Sequence, residues 1–574
     1  MLRRVFAVGW ALLLGSAFLC AETGCRRRIG TAPSPKSVGS AAPAEKCLSV
    51  VSWNDMHGQL GPDESYVQTG KLPAGGVVAV ADVVADVRAT HDATVVLDAG
   101  DLFTGPLETT LAEGEPIIAA YNVLGVDAAA LGNHEFDFGP VGYGAVIAAP
   151  GLDDRAGDKG PRGALLARLA AARFPFLSAN LHREGGGAIA WPHHSPSTTV
   201  ERGGFKVGVV GYTTLETPKT TIKPNVVGLD FATNAGGSIA ASIRLLRTQG
   251  AAPVVLLAHA SLEGELPQAL DKTAGKGEID TLLGELGPDL PDLVIAGHRH
   301  AWLLGRARGV PIVSTSEHGV GVARSRFCVD PATKKVALAS IERRIAVAHD
   351  PPRSALGKEV AAVVAPFQAK VAAEAETSVA TLAKACFPQR LDGSAFTHQV
   401  AVAIREHATD GGALPEKAPV VAVMNSGGVR APLGPGVVRY RDLFAALPFE
   451  NAVATCTTTR AGLARMLSNV LRKASVAERF PFGFAGAKLA LKRDAKGLLT
   501  LEKLTVPGAD AETDAVVVAM PDFLLWGGDG FLDGVTCSAT TSSQTRLRDA
   551  FRTLLARDKT CDGPHPDLTI EVKP

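Results

Sequence analysis

A chain of 574 residues exceeds what one hydrophobic core serves and predicts roughly three or four structural segments. With 46% hydrophobic, 20% charged and 5% aromatic residues it has the composition of a globular protein, not a fibrous or disordered one. Its 58 basic residues balance its 58 acidic ones, which argues against a nucleic-acid polymer as partner; a small anion held by metals and a few arginines remains compatible.

Residues 1–25 read as an export signal. Arg3 and Arg4 precede an apolar run from Val5 to Leu19 that is too short to span a membrane comfortably. Cleavage after Ala21 and lipidation at Cys20 or Cys25 both stay open. Residues 26–46, rich in Pro, Ser, Ala and Gly, read as a flexible tether. The expected destination is the cell envelope, as a periplasmic protein whose contact with a membrane, if any, runs through an N-terminal lipid anchor. The six later cysteines, Cys47, Cys328, Cys386, Cys456, Cys537 and Cys561, contain no CxxC pair. In an oxidising compartment they predict structural disulfides and not a thiolate zinc site. Their pairing does not follow from sequence; Cys537 with Cys561 is the shortest closure.

From residue 47 to 345 the pattern alternates strand, loop and helix. The runs Leu48–Val51, Thr94–Leu97, Lys206–Val210, Pro253–Leu257 and Asp292–Ile295 are short, rich in β-branched residues and bounded by polar ones, as buried strands are. Ala-rich helical stretches such as Val77–Thr90 and Gly163–Arg173 lie between them, which predicts a layered α/β domain. Residues 346–377 read as a linker helix, and 378–574 as a second, mixed α/β domain.

Polar residues gather directly after the strands. Asn54-Asp55-Met56-His57-Gly58 follows the first, Asp98-Ala99-Gly100-Asp101 the second, and Gly132-Asn133-His134-Glu135-Phe136-Asp137 a short Ala-rich strand; Ala258-His259 and Gly297-His298-Arg299-His300 end the fourth and fifth runs. Ligands in open α/β sheets bind beyond the carboxyl ends of the strands, so five strands point these groups into one crevice. Carboxylates mixed with imidazoles and an amide suit zinc, manganese, iron or cobalt, and a carboxylate can bridge two ions as an imidazole cannot. Asp55 and His57, like His298 and His300, are two apart, which on extended backbone turns both to one side. Any one of these residues alone would be an ordinary turn or cap; five motifs in this order are not.

Those motifs resemble the calcineurin-like metallophosphoesterase signature, and with the second domain the chain resembles the bacterial 5′-nucleotidase and UDP-sugar hydrolase family. The resemblance implies a four-layer α/β/β/α sandwich followed by a smaller mixed α/β substrate-binding domain. It implies two divalent metal ions (Zn, Mn, Co or Fe): Asp55, His57, Asp101 and His300 would hold one, and Asp101, Asn133, His259 and His298 the other. His134 and Asp137 would form the catalytic dyad, with metal-bound water attacking phosphorus in line. It further implies that the two domains move relative to one another.

In the second domain, Asn425-Ser426-Gly427-Gly428-Val429-Arg430 resembles the family's Asn-Gly-Gly-Gly-Ile-Arg motif, and Trp526-Gly527-Gly528-Asp529-Gly530-Phe531 its Asn-Gly-Gly-Asp-Gly-Phe motif. By that likeness Arg430 and Arg390 would contact phosphate, Phe449 and Phe523 stack on the base, Asn425 face the base edge and Asp529 the ribose. Read without it, the two phenylalanines are core residues. The chain departs from the pattern at Ser426 and at Ser394-Ala395-Phe396-Thr397-His398. The implied activity is hydrolysis of nucleoside 5′-monophosphates; a 2′,3′-cyclic-nucleotide phosphodiesterase with 3′-nucleotidase activity, a UDP-sugar hydrolase, or an envelope binding protein without catalysis are the competing expectations.

Overall fold

The β-branched runs of the first half form buried strands in two seven-stranded sheets. The computed structural model describes residues 46–63, 66, 72–143, 153–264, 266–388, 393–410, 418–473, 480–493 and 498–572. The export signal and residues 26–45 of the tether lie outside the described residues.

The first sheet runs in the order Val336–Ile345, Gly321–Val329, Cys47–Trp53, Ala93–Asp98, Ala128–Ala130, Phe176–Leu177, His194–Ser195. The second runs Gln268–Thr273, Leu303–Ala307, Val310–Ser314, Leu293–Ala296, Val254–His259, Phe205–Thr213, Ser197–Arg202. The strands that precede the polar motifs pair in parallel, so their carboxyl ends lie together.

Alternation along each strand divides the side chains between two layers. Leu48, Val50, Val95 and Leu97 meet Val207, Val209, Val255, Leu257 and Ile295 of the other sheet. On the outer faces Val51 and Val96 pack with the helices Val77–Arg88 and Glu115–Leu124, while Val210, Leu256 and Val294 pack with Gly236–Thr248 and Glu278–Glu285. Each such fully buried Val or Leu contributes roughly 1.5–3 kcal/mol. The result is a four-layer α/β/β/α sandwich.

Between the two halves lies the helix Ala355–Ala375, capped by Ser354, whose hydroxyl accepts the Gly357 N–H at 2.8 Å. Asp82 accepts the N–H groups of Arg353 and Ser354, and Val360 and Val364 join the first domain's core. This segment, read from sequence as a linker, is docked on the first domain along its first turns. The second domain is built on a five-stranded sheet, in the order Phe482–Ala485, Val420–Asn425, Ala515–Pro521, Ala452–Thr459, Ala539–Arg546. Helices Ala395–Asp410 and Leu547–Asp558 cover one face and Arg460–Lys473 the other.

All six cysteines among the described residues are paired: Cys47 with Cys328, Cys386 with Cys561, and Cys456 with Cys537. The shortest closure, Cys537 with Cys561, is not used. Cys456 and Cys537 are instead brought together because the Ala452–Thr459 strand pairs with Ala539–Arg546 directly after Cys537.

His398 and His565 are buried edge to face, 4.4 Å between ring centroids, and both turn a ring nitrogen toward the Phe484 carbonyl. Burial, with the His398 charge adding to it, pushes His565 down to about 3, and burial lowers His398 as well. Both folded values lie below the ordinary one of about 6.5, so only the unfolded chain takes up these protons as pH falls from there. Stability of the second domain is therefore expected to fall between about pH 6.5 and 3. Urea melts at pH 7.5 and 5 check this; His565→Gln is expected to flatten the difference.

Candidate metal centre

Beyond their last paired residues, the first two strands remain hydrogen-bonded while the register slips by one residue. The N–H groups of Asp55, His57 and Gly58 donate to the carbonyls of Gly100, Asp101 and Leu102 at 3.0, 2.9 and 2.6 Å. The two ligand-bearing loops thus continue the sheet's hydrogen bonding while leaving its geometry. Asp55, His57, Asp101, His298 and His300 have φ of 51°, 46°, 59°, 76° and 52°, all left-handed. The extended alternation expected for Asp55 with His57, and for His298 with His300, is therefore not what aims them. Each left-handed non-glycine residue costs roughly 1–2 kcal/mol, a cost that the surrounding structure holds in place. Gly132 makes the centre possible: a β-carbon there would lie 2.1 Å from Asp101 Oδ1.

The structure brings six of the seven candidate ligands of the first domain together: Asp55, His57, Asp101, His259, His298 and His300. Asp101 Oδ2 lies 3.0 Å from His259 Nε2 and 3.8 Å from His57 Nε2, and Asp55 Oδ1 lies 3.4 Å from His300 Nε2. Three groups have ligand atoms within 4.8 Å of one another: Asp55, His57 and His300; His57, Asp101 and His134; Asp101, His259 and His298. Asn133 Oδ1 is buried and has no hydrogen-bond partner among the described residues.

The donor set fits cations. His57 Nδ1 sits 3.1 Å from the Thr104 carbonyl and His259 Nδ1 2.9 Å from that of Ala99, so each Nδ1 carries the hydrogen and each Nε2 offers a lone pair. His57 Nε2 then accepts from His300 Nε2–H at 2.9 Å, a lone pair that a cation would take over. Burial and the His300 charge hold His57 well below its ordinary value. Burial opposes the charge on His259, yet the Asp101 carboxylate pushes it up to about 10: the cavity calls for positive charge.

Behind the ligands lie residues that the motif reading did not assign. Buried Glu135 accepts the N–H groups of Gly132, Asp101, Leu102 and Phe103 at 2.5, 3.1, 2.6 and 3.3 Å, fastening two ligand loops to one carboxylate. Burial and the Asp101 charge push it up to about 7. Asp98, pushed up to about 8 by burial, accepts the Gly100 N–H at 2.7 Å and the Tyr121 hydroxyl at 2.5 Å. His298 Nε2 lies 3.0 Å from Glu216 Oε2. His318, paired with Asp63 at 3.0 Å, presents its ring edge-on to His57 at 5.9 Å. Glu135 and Asp98 stand inside or beside the motifs and were within reach of a sequence argument; Asp63 and His318, 255 residues apart, carry no such signal.

His134 Nδ1 contacts Asp137 Oδ2 at 2.6 Å, and the Thr221 hydroxyl donates to Asp137 Oδ1 at 2.9 Å. Burial opposes a charge on His134, but Asp137 and Asp101 outweigh it and raise its pKa.

The calcineurin-like phosphoesterase model matches residues 49–302, and the 5′-nucleotidase C-terminal domain model matches residues 364–534. The probable 5′-nucleotidase of Treponema pallidum (strain Nichols) is 26% identical over 568 residues, covering 88% of this chain and 90% of its own. The chain belongs to the 5′-nucleotidase family. Its domains are those of a metal-dependent phosphoester hydrolase. Two solved structures, both from Thermus thermophilus, share the fold: a 5′-nucleotidase precursor (TM-score 0.71, 21% identity, 92% of this chain and all of that one) and a sulfate thiohydrolase (TM-score 0.66, 17% identity, 92% and 98%).

The 5′-nucleotidase C-terminal domain meets the metal centre through Phe449, whose ring stacks on His134 at 5.7 Å and 20°. The Arg430 guanidinium lies 5.8 Å from the same ring. Asn425 donates to Asp529 at 2.9 Å, so these two belong to one cluster. Phe523 packs beneath Gly528, where a β-carbon would meet its ring at 2.4 Å. Arg390 lies outside the described residues. The Phe449 loop is fixed by Arg548, a fully buried guanidinium that donates to the carbonyls of Leu447, Pro448 and Phe449 and to Glu450. Glu450 accepts in turn from the Tyr143 hydroxyl of the phosphoesterase domain at 2.9 Å.

Replacing one Glu135 oxygen by an amide, in Glu135→Gln, sets an NH₂ group against two of the four backbone donors that hold the ligand loops. Metal affinity is expected to fall about 10- to 100-fold with the fold retained. Competition with a chromogenic chelator, beside circular dichroism, checks this.

Proposed function

We propose that the chain is an exported hydrolase that releases phosphate from nucleoside 5′-monophosphates. The observation that carries this reading is the stacking of Phe449, from the second domain, on His134, beside the ligand cluster of the first. An aromatic face next to a phosphoryl-transfer centre suits a substrate that joins a phosphate to a flat base.

In this reading Asp55, His57, Asp101 and His300 would hold one divalent ion, and Asp101, Asn133, His259 and His298 the second, with Asp101 shared. Such a pair supplies charge neutralisation at the phosphoryl oxygens and lowers the pKa of water. The remaining work falls to side chains. Asp137 accepts the Nδ1 hydrogen of His134, which fixes the tautomer and supports a proton at Nε2 for charge developing on the leaving oxygen. Arg430 offers a forked donor to the phosphate, with Arg390 as its partner. Phe449 and Phe523 stack on the base, Asn425 meets its edge and Asp529 the ribose hydroxyls.

Export is supported by the three disulfides, which persist in oxidising compartments. Among the described residues no helix is long and apolar enough to cross a membrane. The periplasm is the compartment proposed, and the mass of the mature N-terminus decides between a free end and a lipid on Cys20 or Cys25.

Phosphate release from AMP, 2′,3′-cyclic AMP, ATP and UDP-glucose, with Mn²⁺ or Zn²⁺, tests the reading. Metal-dependent release from AMP is expected, with Asp101→Ala reducing kcat at least about a thousandfold. Turnover of the cyclic nucleotide alone, or of no nucleotide by a chain with metals bound, would refute it.

A further inference from the structure

Thr221 ends the short turn Thr217–Thr220, and its side chain is buried. A threonine in such a place ordinarily returns its hydroxyl to the carbonyl four residues earlier. Thr220 does this to Glu216 at 3.1 Å, Thr281 to Gly277 at 3.0 Å and Thr377 to Ala373 at 3.1 Å. Thr221 does not. Its hydroxyl crosses 84 residues of sequence to Asp137 Oδ1 at 2.9 Å, the oxygen that His134 leaves free.

From this we infer that Thr221 is a positioning residue for the His134–Asp137 pair, an inference that rests on the reading of that pair as the catalytic dyad. Asp137 is half-buried, and among the described residues its carboxylate receives one hydrogen bond on each oxygen. With Thr221 in place the carboxylate plane is fixed at two points and the imidazole is aimed by it. With only His134 attached, the carboxylate can turn about its own side-chain axis and take the ring with it.

The segment carrying Thr221 is built to hold still. Glu278 accepts the Tyr212 hydroxyl at 2.8 Å, the Leu215 N–H at 2.7 Å and the Thr214 hydroxyl at 2.8 Å. The Thr217 hydroxyl closes onto the Thr214 carbonyl at 2.7 Å, and the Thr221 N–H onto that of Thr217 at 3.2 Å. Further along, Asn225 donates to the Phe136 carbonyl at 2.8 Å, tying the segment to the residue before Asp137. The Thr217–Thr220 turn also packs against the Gly528–Gly530 turn of the second domain, which carries Asp529. One braced segment thus touches the dyad on one side and the nucleotide domain on the other.

The test uses the metal-loaded full-length chain with Thr221→Val, which keeps the branched shape and removes the donor, and Thr221→Ser, which restores it. For AMP, Thr221→Val is expected to lower kcat about tenfold with KM within about twofold, and Thr221→Ser to recover most of the loss. Melting temperature and metal content are expected to match the unaltered chain. The downfield proton resonance of the His134 Nδ1–H, assigned by its loss in Asp137→Ala, is expected to move in Thr221→Val and to return in Thr221→Ser. Unchanged kcat and resonance in Thr221→Val, or a Thr221→Ser variant as impaired as the valine one, would overturn the inference. His134→Ala separates the two levels: if it keeps full activity, dyad and inference fall together, whereas an inactive His134→Ala beside a fully active Thr221→Val overturns the inference alone.

Discussion

A carboxylate that is 1% exposed at the ends of two sheets has to be met by positive charge, and the first domain is organised around meeting that demand at Asp101. Its two oxygens face His259, His57 and the His134 backbone N–H. Protons meet part of that demand, since His300 Nε2–H can donate to His57 Nε2 at 2.9 Å, but His57 and His259, with their hydrogens on Nδ1, turn lone pairs toward Asp101. Divalent ions would satisfy the carboxylate and those lone pairs at once. That is why the donor set argues for metal more strongly than any count of acidic residues could.

The same demand explains Glu135. A second buried carboxylate beside Asp101 raises the electrostatic cost of the site, and its displaced pKa records that cost. What offsets it is four backbone N–H groups, which set the Gly132 and Asp101 loops at a fixed separation. The left-handed ligands follow from the same logic. Asp55, His57 and Asp101 could relax toward ordinary backbone conformations were it not for the loop-to-loop hydrogen bonds that extend the sheet past its last strand residues.

Legibility in the sequence divides along physical lines. Buried parallel strands advertise themselves through β-branched runs, and strand ends through the polar residues that follow, so the layers of the first domain and the nearness of Asp55, His57, Asp101, His259, His298 and His300 were readable. Left-handed backbone at Asp55 and His57 was not, because tertiary hydrogen bonds impose it against local preference. Disulfide pairing depends on which strands become neighbours, and chain separation is a poor guide to that. Thr221 and the Asp63–His318 pair needed three-dimensional proximity, and Arg548 looked like any other helix arginine. Its burial is set by the carbonyls of a loop about 100 residues earlier.

Arg548 bears on where substrate choice resides. Stability alone does not call for a buried guanidinium, since an apolar side chain of similar volume serves a core as well or better. This one fixes the backbone of residues 447–449, and Glu450 carries the attachment on to Tyr143 across the domain boundary. A buried charge thus determines where Phe449 stands relative to His134. On the proposed reading the metal ligands would serve only phosphoryl oxygens and water, and a shared fold leaves substrate identity undetermined. On the same reading, selectivity for a base would be built where the second domain's aromatic meets the His134–Asp137 pair, and beside that place the chain sets a fully buried arginine bonded to three successive carbonyls.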